Sequence, residues 1–425
     1  MRRALIAFLL GASMVAFGPT PAGAVVGGEP ADVGEWPWQV VLIVDGGEYC
    51  GGALLELDVV VTAAHCTEGL GPSDIRVEAG SIEIGGDDAQ RRGVSRLLAH
   101  EDYDDTTLEN DIALVFLDEP LDASDLVAPV ALSDPAAEDE RTEGGDPAFV
   151  TGFGVTDEDA VNTSDILLEA EIEVFDDASC VDSYDESPDE VAPALMLCAG
   201  FAQGGADACF GDSGGPLVVP ADDERTSWFL VGLVSWGDGC GRPGSPTVYT
   251  EVGAHLDWLA DNGALTVDGD RFESDDGARI PAFGTVGKAG PYPMPLDVRG
   301  FDGTLETVAV ELDGLSHERT ADLDVWLQAP DGTVVTLLSD VGGDEPVSES
   351  RLLIDASGPT AEGAPFGLRV SPSDREADRQ RKGAPPPADL GVLAGSDPNG
   401  EWHLLIADDR SGSDGSLDSW TLILG

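Results

Sequence analysis

Three short motifs in the first 216 residues of this 425-residue chain carry side chains that together could perform nucleophilic catalysis. A serine hydroxyl is a weak nucleophile at neutral pH, so it needs a neighbouring base to take its proton. Histidine suits this task because its pKa lies near neutrality, and a buried carboxylate would fix its tautomer and stabilise the imidazolium. The motifs are TAAHC with His65, NDIAL with Asp111 and GDSGGP with Ser213.

Each motif also has an ordinary structural explanation when it is taken alone. A histidine before a cysteine is often structural, and an aspartate after an asparagine often only starts a strand. The serine motif is harder to explain in this way, since residues 211–216 include three glycines. Glycines let a backbone turn so that its N–H groups point at a developing oxyanion. The combination predicts a hydrolase with Ser213 as its nucleophile.

Short β-rich segments bounded by Gly, Pro and Asp turns surround these motifs from residue 25 to about residue 263. One short helix is predicted at His255–Ala260. The pattern predicts an all-β domain with His65 directly after one strand and Asp111 at the start of another. The clearest predicted strands are Gln39–Val44, Val59–Thr62, Ile112–Leu117 and Phe229–Trp236.

A second β-rich region follows, and it contains none of the six cysteines. Residues 264–280 are acidic, contain glycine and have few apolar residues, so we interpret them as a linker. Residues 281–425 alternate apolar and polar residues between turns, a pattern typical of a β-sandwich. The sequence therefore predicts two domains, 25–263 and 281–425.

The first 24 residues are typical of a secretory signal peptide. Arg2 and Arg3 supply a positive start, residues 4–18 form an apolar run, and Ala22-Gly23-Ala24 is a small-residue cleavage site. An apolar run of about 15 residues is too short to span a bilayer comfortably. We therefore expect a secreted, soluble protein with no membrane span, in a compartment where disulfides form.

The chain is strongly acidic, with 82 Asp and Glu residues against 21 Lys and Arg residues and a net charge of −61. Phosphate binding needs a basic face, so nucleic acid is excluded as an expected partner. A disordered acidic chain is an alternative, but 42% hydrophobic residues and regular strand patterns argue against it. We predict a folded protein with a carboxylate-rich surface, whose stability rises with salt.

Residues 25–263 resemble the trypsin family of serine proteases, on the three motifs above and in the chain order His65, Asp111, Ser213. The resemblance implies an all-β fold of two six-stranded antiparallel barrels and the hydrolysis of peptide bonds. It implies that His65 is the general base and acid, that Asp111 orients it, and that Ser213 is the nucleophile.

The resemblance also implies supporting roles. The backbone N–H groups of Gly211 and Ser213 would form the oxyanion hole, and Ser235 would support Asp111. Spacing alone leaves the cysteine pairing open. The family implies the pairs Cys50–Cys66, Cys180–Cys198 and Cys209–Cys240.

Members of this family are usually made inactive. A cut then exposes a new N-terminus, whose α-ammonium group is buried against the acid next to the nucleophile. The matching residues here are VVGG, beginning at Val25, and the acid is Asp212. Val25 directly follows the predicted signal cleavage site, so we expect export itself to create the active N-terminus. The alternative is an earlier cut followed by removal of a few residues by a second protease.

The resemblance places Asp207 at the floor of the specificity pocket, with Ala208 beside it and Gly237 on one wall. A desolvated carboxylate there would pair with Arg or Lys of a substrate. The other wall is Thr247, where trypsin-like enzymes have glycine to admit a long side chain, and the rim carries Phe210. We favour cleavage after Arg or Lys in a narrowed pocket. The alternative is an elastase-like preference for small residues, with Asp207 paired internally or hydrated.

Many trypsins carry a calcium loop after the glycine that matches Gly80. Here Ser81 replaces the first acidic ligand, although Glu83, Asp87 and Asp88 are nearby. Oxygen ligands without the spacing are a weak argument for a site. We expect no metal and no cofactor, with calcium as a weakly supported candidate.

Residues 281–425 resemble the P domain of subtilisin/kexin-like convertases, a jelly-roll β-sandwich that accompanies many secreted bacterial proteases. No nucleophile motif occurs in this region, so we expect a noncatalytic module. Its acidic residues at positions 322, 324, 408 and 409 could bind calcium, but in so acidic a chain we expect them to be solvated carboxylates. The resemblance is carried by ADLDVWL at 321–327, APDGT at 329–333, NGEWHL at 399–404 and GSLDSWTL at 415–422.

The expected partners are polypeptide substrates, with protein inhibitors of proteases as further candidates, and we expect a monomer. A competing hypothesis is a catalytically silent binding protein whose function lies in the second domain. The complete triad argues against that hypothesis.

Overall fold

The computed structural model describes most of the chain from residue 25 onward. The predicted signal peptide, residues 1–24, lies outside the described part and stays a prediction. The described residues are 25–44, 47–132, 141–158, 163–184, 191–221, 225, 227–264, 269–281, 287–301, 303–339, 341, 346–356, 369–370, 372–374, 388–410 and 412–425.

Six antiparallel strands, β2 to β7, form a closed barrel, and a short strand, β1, precedes them in the chain. The strands are β1 (Glu29–Pro30), β2 (Gln39–Val44), β3 (Glu48–Glu56), β4 (Val59–Thr62), β5 (Ile75–Ala79), β6 (Gln90–Ala99) and β7 (Ala113–Leu117). The barrel order is β2-β3-β4-β7-β6-β5. Its interior is filled by aliphatic side chains such as Leu42, Leu54 and Leu114, which are fully buried. Burial of this apolar surface is the main stabilising contribution to the barrel.

A second group of six strands closes in the same way. The strands are β8 (Pro147–Gly152), β9 (Leu168–Val174), β10 (Met196–Gly200), β11 (Pro216–Pro220), β12 (Trp228–Trp236) and β13 (Thr247–Glu251). Their order is β9-β10-β13-β12-β11-β8, and pairing of β8 with β9 closes the ring. Strand β1 pairs with β9. The predicted architecture of two six-stranded antiparallel barrels is therefore confirmed.

In the part of the chain that the structure describes, two short α-helices accompany the barrels, Asp177–Ser183 and Leu256–Asp261. The second confirms the helix expected at His255–Ala260, shifted by one residue. The first was not predicted, because it buries only Cys180 and shows no apolar stripe; Asp176 caps it by accepting from the Ser179 N–H. The described residues include 3₁₀ turns at Ala64–Cys66, Pro72–Asp74, Gly253–His255, Thr320–Asp322 and Leu390–Leu393. Among the described residues, no helix is both long and apolar enough to cross a membrane.

The three disulfides implied by the family resemblance are present. Each joins a loop or helix to a strand or to another loop of the two barrels, and each contributes roughly a few kcal/mol. The bonds are Cys50–Cys66, Cys180–Cys198 and Cys209–Cys240.

The remaining strands form two sheets that share one hydrophobic core, including the fully buried Trp402 and Trp420. One sheet has the order β14-β26-β18-β21-β22 with β15 and β25 attached, and the other β16-β24-β19-β20-β23 with β17 attached. In chain order the strands of the described residues in this region are Asp270–Ser274, Ala278–Ile280, Gly287–Lys288, Met294–Val298, Val308–His317, Leu323–Gln328, Val334–Ser339, Val347–Ile354, Arg369–Val370, Ser373–Asp374, Gly400–Asp408, Gly415–Leu417 and Ser419–Leu424, which are β14 to β26.

The interpretation of residues 264–280 as a linker is corrected by this sheet. Strand β14 (Asp270–Ser274) pairs with β26, and β15 (Ala278–Ile280) pairs with β25. The many acidic residues hid these strands, because they place few side chains against the core: Phe272 packs against it in part, and Ser274, Ala278 and Ile280 are buried. The β-sandwich unit therefore begins near residue 270 and not at residue 281.

The expectation that the acidic residues of this unit are solvated is wrong for three of them. Asp322, Asp324 and Asp408 are at most 2% exposed. Asp322 accepts from the Ser413 hydroxyl at 2.8 Å, and Asp324 accepts from the Ser339 hydroxyl at 2.7 Å. These carboxylates are part of the interior of the sandwich.

The acidic surface should make stability depend on ionic strength. We expect the melting temperature in 1 M sodium chloride to exceed that in dilute buffer by about 5–10 °C, because salt screens repulsion between carboxylates. Most of the rise should occur below about 0.5 M, where the screening length changes most. Differential scanning calorimetry over a salt series measures this, and equal melting temperatures throughout would refute it.

Candidate active site

The carboxylate of Asp111 lies two residues before β7 and is completely buried. Its Oδ1 accepts the backbone N–H of His65 at 2.9 Å. Its Oδ2 accepts the Nδ1–H of His65 at 2.8 Å and the hydroxyl of Ser235 at 2.5 Å. Three donors therefore offset the cost of removing this group from water.

His65 lies in the 3₁₀ turn that directly follows β4. Because Nδ1 faces a carboxylate, Nδ1 carries the proton and Nε2 of the neutral ring is left as an acceptor. The imidazole is 26% exposed, so it can be reached from solvent. A ring nitrogen lies within 4.8 Å of both sulfur atoms of the Cys50–Cys66 disulfide. The disulfide thus packs beside the ring, and its bonded sulfurs are not metal ligands.

The loop that carries Ser213 is held against both barrels by its backbone. The Gly51 N–H of β3 donates to the Ser213 carbonyl at 2.8 Å, and the Gly214 N–H donates to the Val234 carbonyl of β12 at 2.7 Å. Gly214 has φ of 73°, and a Cβ atom there would lie 2.1 Å from Thr62 Oγ1. Only glycine fits this crossing. Ser213 therefore lies where the two barrels meet.

The turn that carries His65 lies next to the loop that carries Ser213 at this junction. The Sγ atom of Cys66, next to His65, lies 3.6 Å from the Ser213 carbonyl oxygen. Within the described part of the chain, the Ser213 hydroxyl makes no hydrogen bond, to the His65 ring or to another group. Catalytic hydrogen bonds are often long without substrate and shorten when substrate binds.

The Gly211 backbone adopts φ of 94°, a conformation that favours glycine. A Cβ atom there would lie 2.9 Å from Thr163 Cγ2 and 3.1 Å from Gly154 Cα. Among the described residues, no acceptor receives the N–H of Gly211 or of Ser213. Both amides are therefore available to an oxygen atom of a ligand.

Asp212 is completely buried beside the serine. Burial raises its pKa to about 7, although the N–H groups of Cys209 and Gly154 donate to its carboxylate at 2.9 and 2.7 Å. Cβ atoms on Gly152 and Gly154 would lie 2.0 and 2.6 Å from this carboxylate. No described Lys, Arg or His forms an ion pair with it. Asp212 therefore occupies a tight cradle in which no described side chain supplies a cation.

Residues 25–28 are seated against the segment that precedes the serine loop. Val25 is completely buried, and the Val26 carbonyl accepts the Asp207 N–H at 3.0 Å. Gly27 has φ of 73°, and a Cβ atom there would lie 3.2 Å from Ala206 Cα. The segment 25–28, which the family resemblance marks as the activating N-terminus, is thus packed into the protein beside Ala206 and Asp207.

Asp207 is 2% exposed, and burial raises its pKa to about 6. The N–H groups of Gly241 and Ala208 donate to its two oxygens at 2.9 and 3.0 Å. Thr247 acts in the same direction, since its hydroxyl and its backbone amide both lower the pKa of Asp207. The carboxylate is therefore partly satisfied by the protein itself.

Thr247 also faces the opposite wall of this site. A Cβ atom on Gly237 would lie 3.7 Å from Thr247 Oγ1, so the threonine side chain reaches across the space between the two walls. Ala208 is buried beside Asp207, and Phe210 is 63% exposed. Asp207, Ala208, Gly237 and Thr247 thus lie in one region, with the Thr247 side chain between Asp207 and Gly237.

A family model described as Trypsin matches residues 25–259, which is more than half of the chain. The chain belongs to the trypsin family. It is therefore a hydrolase of the serine protease class, whose substrates are polypeptides.

Curated relatives agree with this assignment to the trypsin family. The chain is similar to Trypsin-1 of Astacus astacus, with 38% identity over 247 residues that cover 56% of this chain and 99% of the relative. It is 38% identical to the vitellin-degrading protease of Bombyx mori over 56% of this chain and 85% of the relative. It is 39% identical to transmembrane protease serine 11E of Mus musculus over 56% of this chain and 54% of the relative.

The loop at the position of the trypsin-family calcium site is closed by contacts within the protein. The Ser81 hydroxyl donates to the Glu83 carbonyl at 3.0 Å. The Arg91 guanidinium and the Gly85 N–H each lie 2.9 Å from an oxygen of Glu78. A cation would have to compete with Arg91 for Glu78, the carboxylate nearest these contacts.

Two glycines that shape the trypsin-family site were missed in the sequence. Gly152 and Gly154 admit Asp212 so closely that no side chain fits at either position. A signal was present, because Gly-Phe-Gly ends a strand, where glycine often marks a close backbone approach. What approaches these glycines is set by distant residues and does not follow from local sequence.

Proposed function

We propose that this protein is a secreted serine endopeptidase in which Ser213 is the nucleophile, His65 the general base and acid, and Asp111 the group that orients His65. The observation that carries the proposal is the buried Asp111 carboxylate and its hydrogen bond to Nδ1. This bond fixes the tautomer in which Nε2 can take a proton. Ser235 supports Asp111 through its hydroxyl.

The proposed reaction proceeds through two tetrahedral intermediates. The Ser213 Oγ–H bond gives its proton to His65 Nε2 while Oγ bonds to the carbonyl carbon of the scissile peptide. The N–H groups of Gly211 and Ser213 donate to the negatively charged oxygen that forms. The His65 proton passes to the leaving amine, which departs from an acyl-enzyme. Water then releases the acid by the same steps, and Ser213 regains its proton.

For the residue before the cleaved bond, we favour arginine or lysine. Asp207 is buried at the floor of the pocket, and its pKa of about 6 leaves it charged at neutral pH. A buried charge is costly without a partner, so a substrate cation would bind by relieving that cost.

The contacts of Thr247 favour a second candidate preference. Thr247 both stabilises the charged form of Asp207 and reaches toward Gly237 across the pocket. A pocket that is shallow and internally compensated would suit small side chains, as in elastases. The triad chemistry is the same in both cases.

We further propose that the active N-terminus is Val25. Its α-ammonium group would supply the cation that Asp212 lacks, and leaving this carboxylate charged without a partner costs several kcal/mol. The VVGG segment is already inserted beside Asp207, and Ala22-Gly23-Ala24 would be the signal cleavage site.

We propose that the β-sandwich unit is a noncatalytic P-type domain. Its support is the set of motifs at 321–333, 399–404 and 415–422 together with a core shared between two sheets. We expect a monomer without cofactors that acts on polypeptides and is open to protein inhibitors.

Removing the nucleophile tests the catalytic proposal. A fluorophosphonate probe should label the protein, and Ser213→Ala should abolish both labelling and peptide hydrolysis because Oγ forms the covalent bond. Asp111→Asn should still be labelled, but about 10⁴-fold more slowly, since the His65 tautomer is no longer fixed. Ser73→Ala, in the exposed turn Pro72–Asp74, is the matched control. Full activity of Ser213→Ala would refute the proposal.

Reporter peptides that differ only before the cleaved bond test the pocket. We expect kcat/KM for Arg to exceed that for Ala and Phe at least tenfold, and Thr247→Gly to raise the Arg value about tenfold by opening the wall. Thr247→Val keeps the width but removes the hydroxyl, so it separates the two roles of Thr247. A higher value for Ala than for Arg in the unaltered protein would establish the small-residue alternative.

N-terminal sequencing tests the activation proposal. The secreted Ser213→Ala protein cannot process itself, and we expect its first residue to be Val25. A start at any other residue would show that a separate activating protease acts.

A further inference from the structure

Asn110, the residue before Asp111, connects two parts of the chain through its side-chain amide. Its backbone has φ of 56°, a left-handed conformation that asparagine tolerates better than most residues. Its Nδ2 donates to the Asp102 carbonyl at 3.0 Å, and its Oδ1 lies 3.2 Å from Nε2 of His255. Asn110 therefore links the loop before β7 to the segment after β13.

His255 is buried, with 2% exposure, in the turn Gly253–His255. Its Nδ1 lies 2.7 Å from the Glu251 carbonyl oxygen. A carbonyl can only accept, so Nδ1 must carry a proton. In the neutral ring Nε2 is then without a proton and faces Asn110 Oδ1, acceptor against acceptor. In the charged ring both nitrogens donate, and both contacts are satisfied.

Turning the Asn110 amide over does not remove this conflict. Nδ2 would then donate to the neutral His255 ring, but Oδ1 would face the Asp102 carbonyl, which is also an acceptor. One contact of Asn110 is lost whenever His255 is neutral. All of them are made together only when His255 is charged.

The groups around His255 make its charge sensitive to pH. Burial lowers the pKa of His255; the Glu251 carbonyl acts in the opposite direction, and His100 adds to the lowering. The His100 ring meets the His255 ring edge-on with centroids 5.5 Å apart. Beyond it, Glu101 accepts from Trp258 Nε1. On the β7 side the nearest charged group along the chain is Asp111, which takes its donors from His65 and Ser235.

The Asn110 contacts affect the position of Asp111, because the backbone of residues 110–112 forms a tight turn. The Ile112 N–H donates to the Asn110 carbonyl at 2.8 Å, around Asp111. The Thr250 hydroxyl donates to the Asp111 carbonyl at 2.9 Å. A side chain that holds Asn110 therefore also holds the peptide units from which the Asp111 carboxylate projects.

We propose that His255 is a positioning residue for Asp111. When its ring is charged, it locks the Asn110 side chain and the turn that presents Asp111, and when its ring is neutral, it releases one of the Asn110 contacts. The proposal rests on the proposed catalytic role of Asp111. The pairing of His255 with Asn110 itself can be tested without catalysis.

The first experiment follows the His255 ring signal by NMR titration in the Ser213→Ala protein. Glycine accepts φ of 56° without strain, so Asn110→Gly removes the side chain alone. We expect Asn110→Gly to lower the proton affinity of His255 three- to tenfold, and Asn110→Asp to raise it by at least as much. The chain has five histidines, and His403 in the β-sandwich unit is the reference. An unchanged or higher affinity in Asn110→Gly would refute the pairing.

The second experiment measures kcat/KM from about pH 4 to about pH 9. In the unaltered protein, kcat/KM should rise as the general base loses its proton and should fall as His255 loses its own, so two ionisations with opposite effects shape the profile. In His255→Leu and Asn110→Gly only the ionisation of the general base should be seen, and kcat/KM should be three- to tenfold lower at the pH values where His255 of the unaltered protein is charged. Profiles that superimpose after scaling would overturn the positioning role. An inactive unaltered protein would instead refute the proposed function, while the NMR titration would still decide the pairing.

Discussion

A carboxylate buried in a protein needs donors around it, and Asp111 takes its donors from both barrels. His65 follows β4 of the first barrel, while Ser235 lies on β12 of the second. Thr250 of β13 binds the Asp111 backbone as well. The two barrels must therefore pack in one relative position for this charge to be tolerated. The same packing brings the Ser213 loop against β3, so the geometry of the site and the docking of the barrels depend on each other.

Asp207 and Asp212 show a different balance between burial and compensation. Both are almost fully buried, and for both burial is the largest effect and raises the pKa. Backbone N–H groups offset part of that cost but supply no charge. In a chain with 82 acidic and 21 basic residues, cations for buried carboxylates are scarce. The proposed partners, a substrate side chain for Asp207 and a chain terminus for Asp212, would be cations that the protein need not encode as Lys or Arg.

Much of the protease region could be predicted from sequence because its motifs are local. The strand before His65, the strand after Asp111 and the glycine turn at Ser213 lie where their residue types place them, and the implied disulfides are present. Local sequence could not reveal long-range contacts. The helix Asp177–Ser183, the cradle of Gly152 and Gly154, and the meeting of Asn110 with His255 all depend on residues far apart in the chain.

The second region was harder for a related reason. Acidic residues normally indicate exposure to solvent, so the sequence predicts a linker where β14 lies and a surface position for Asp322. Strand β14 pairs along its whole length with the last strand, and Asp322 is enclosed by its neighbours. In a chain this acidic, carboxylates also occupy strand edges and interior positions. A high content of acidic residues therefore does not predict that a segment is exposed to solvent.

The pairing of β14 with β26 has a mechanical consequence. Asp270 lies opposite Leu424, so the strand that leaves the protease barrels and the final strand meet at the same end of an antiparallel pair. A force that separates Asp270 from Leu424 would break the hydrogen bonds between β14 and β26 one after another, starting at this end. It would not load all of them at the same time, as a shearing force would. This pair of strands should therefore yield at a lower force than a pair loaded in shear when Leu424 is pulled away from the barrels.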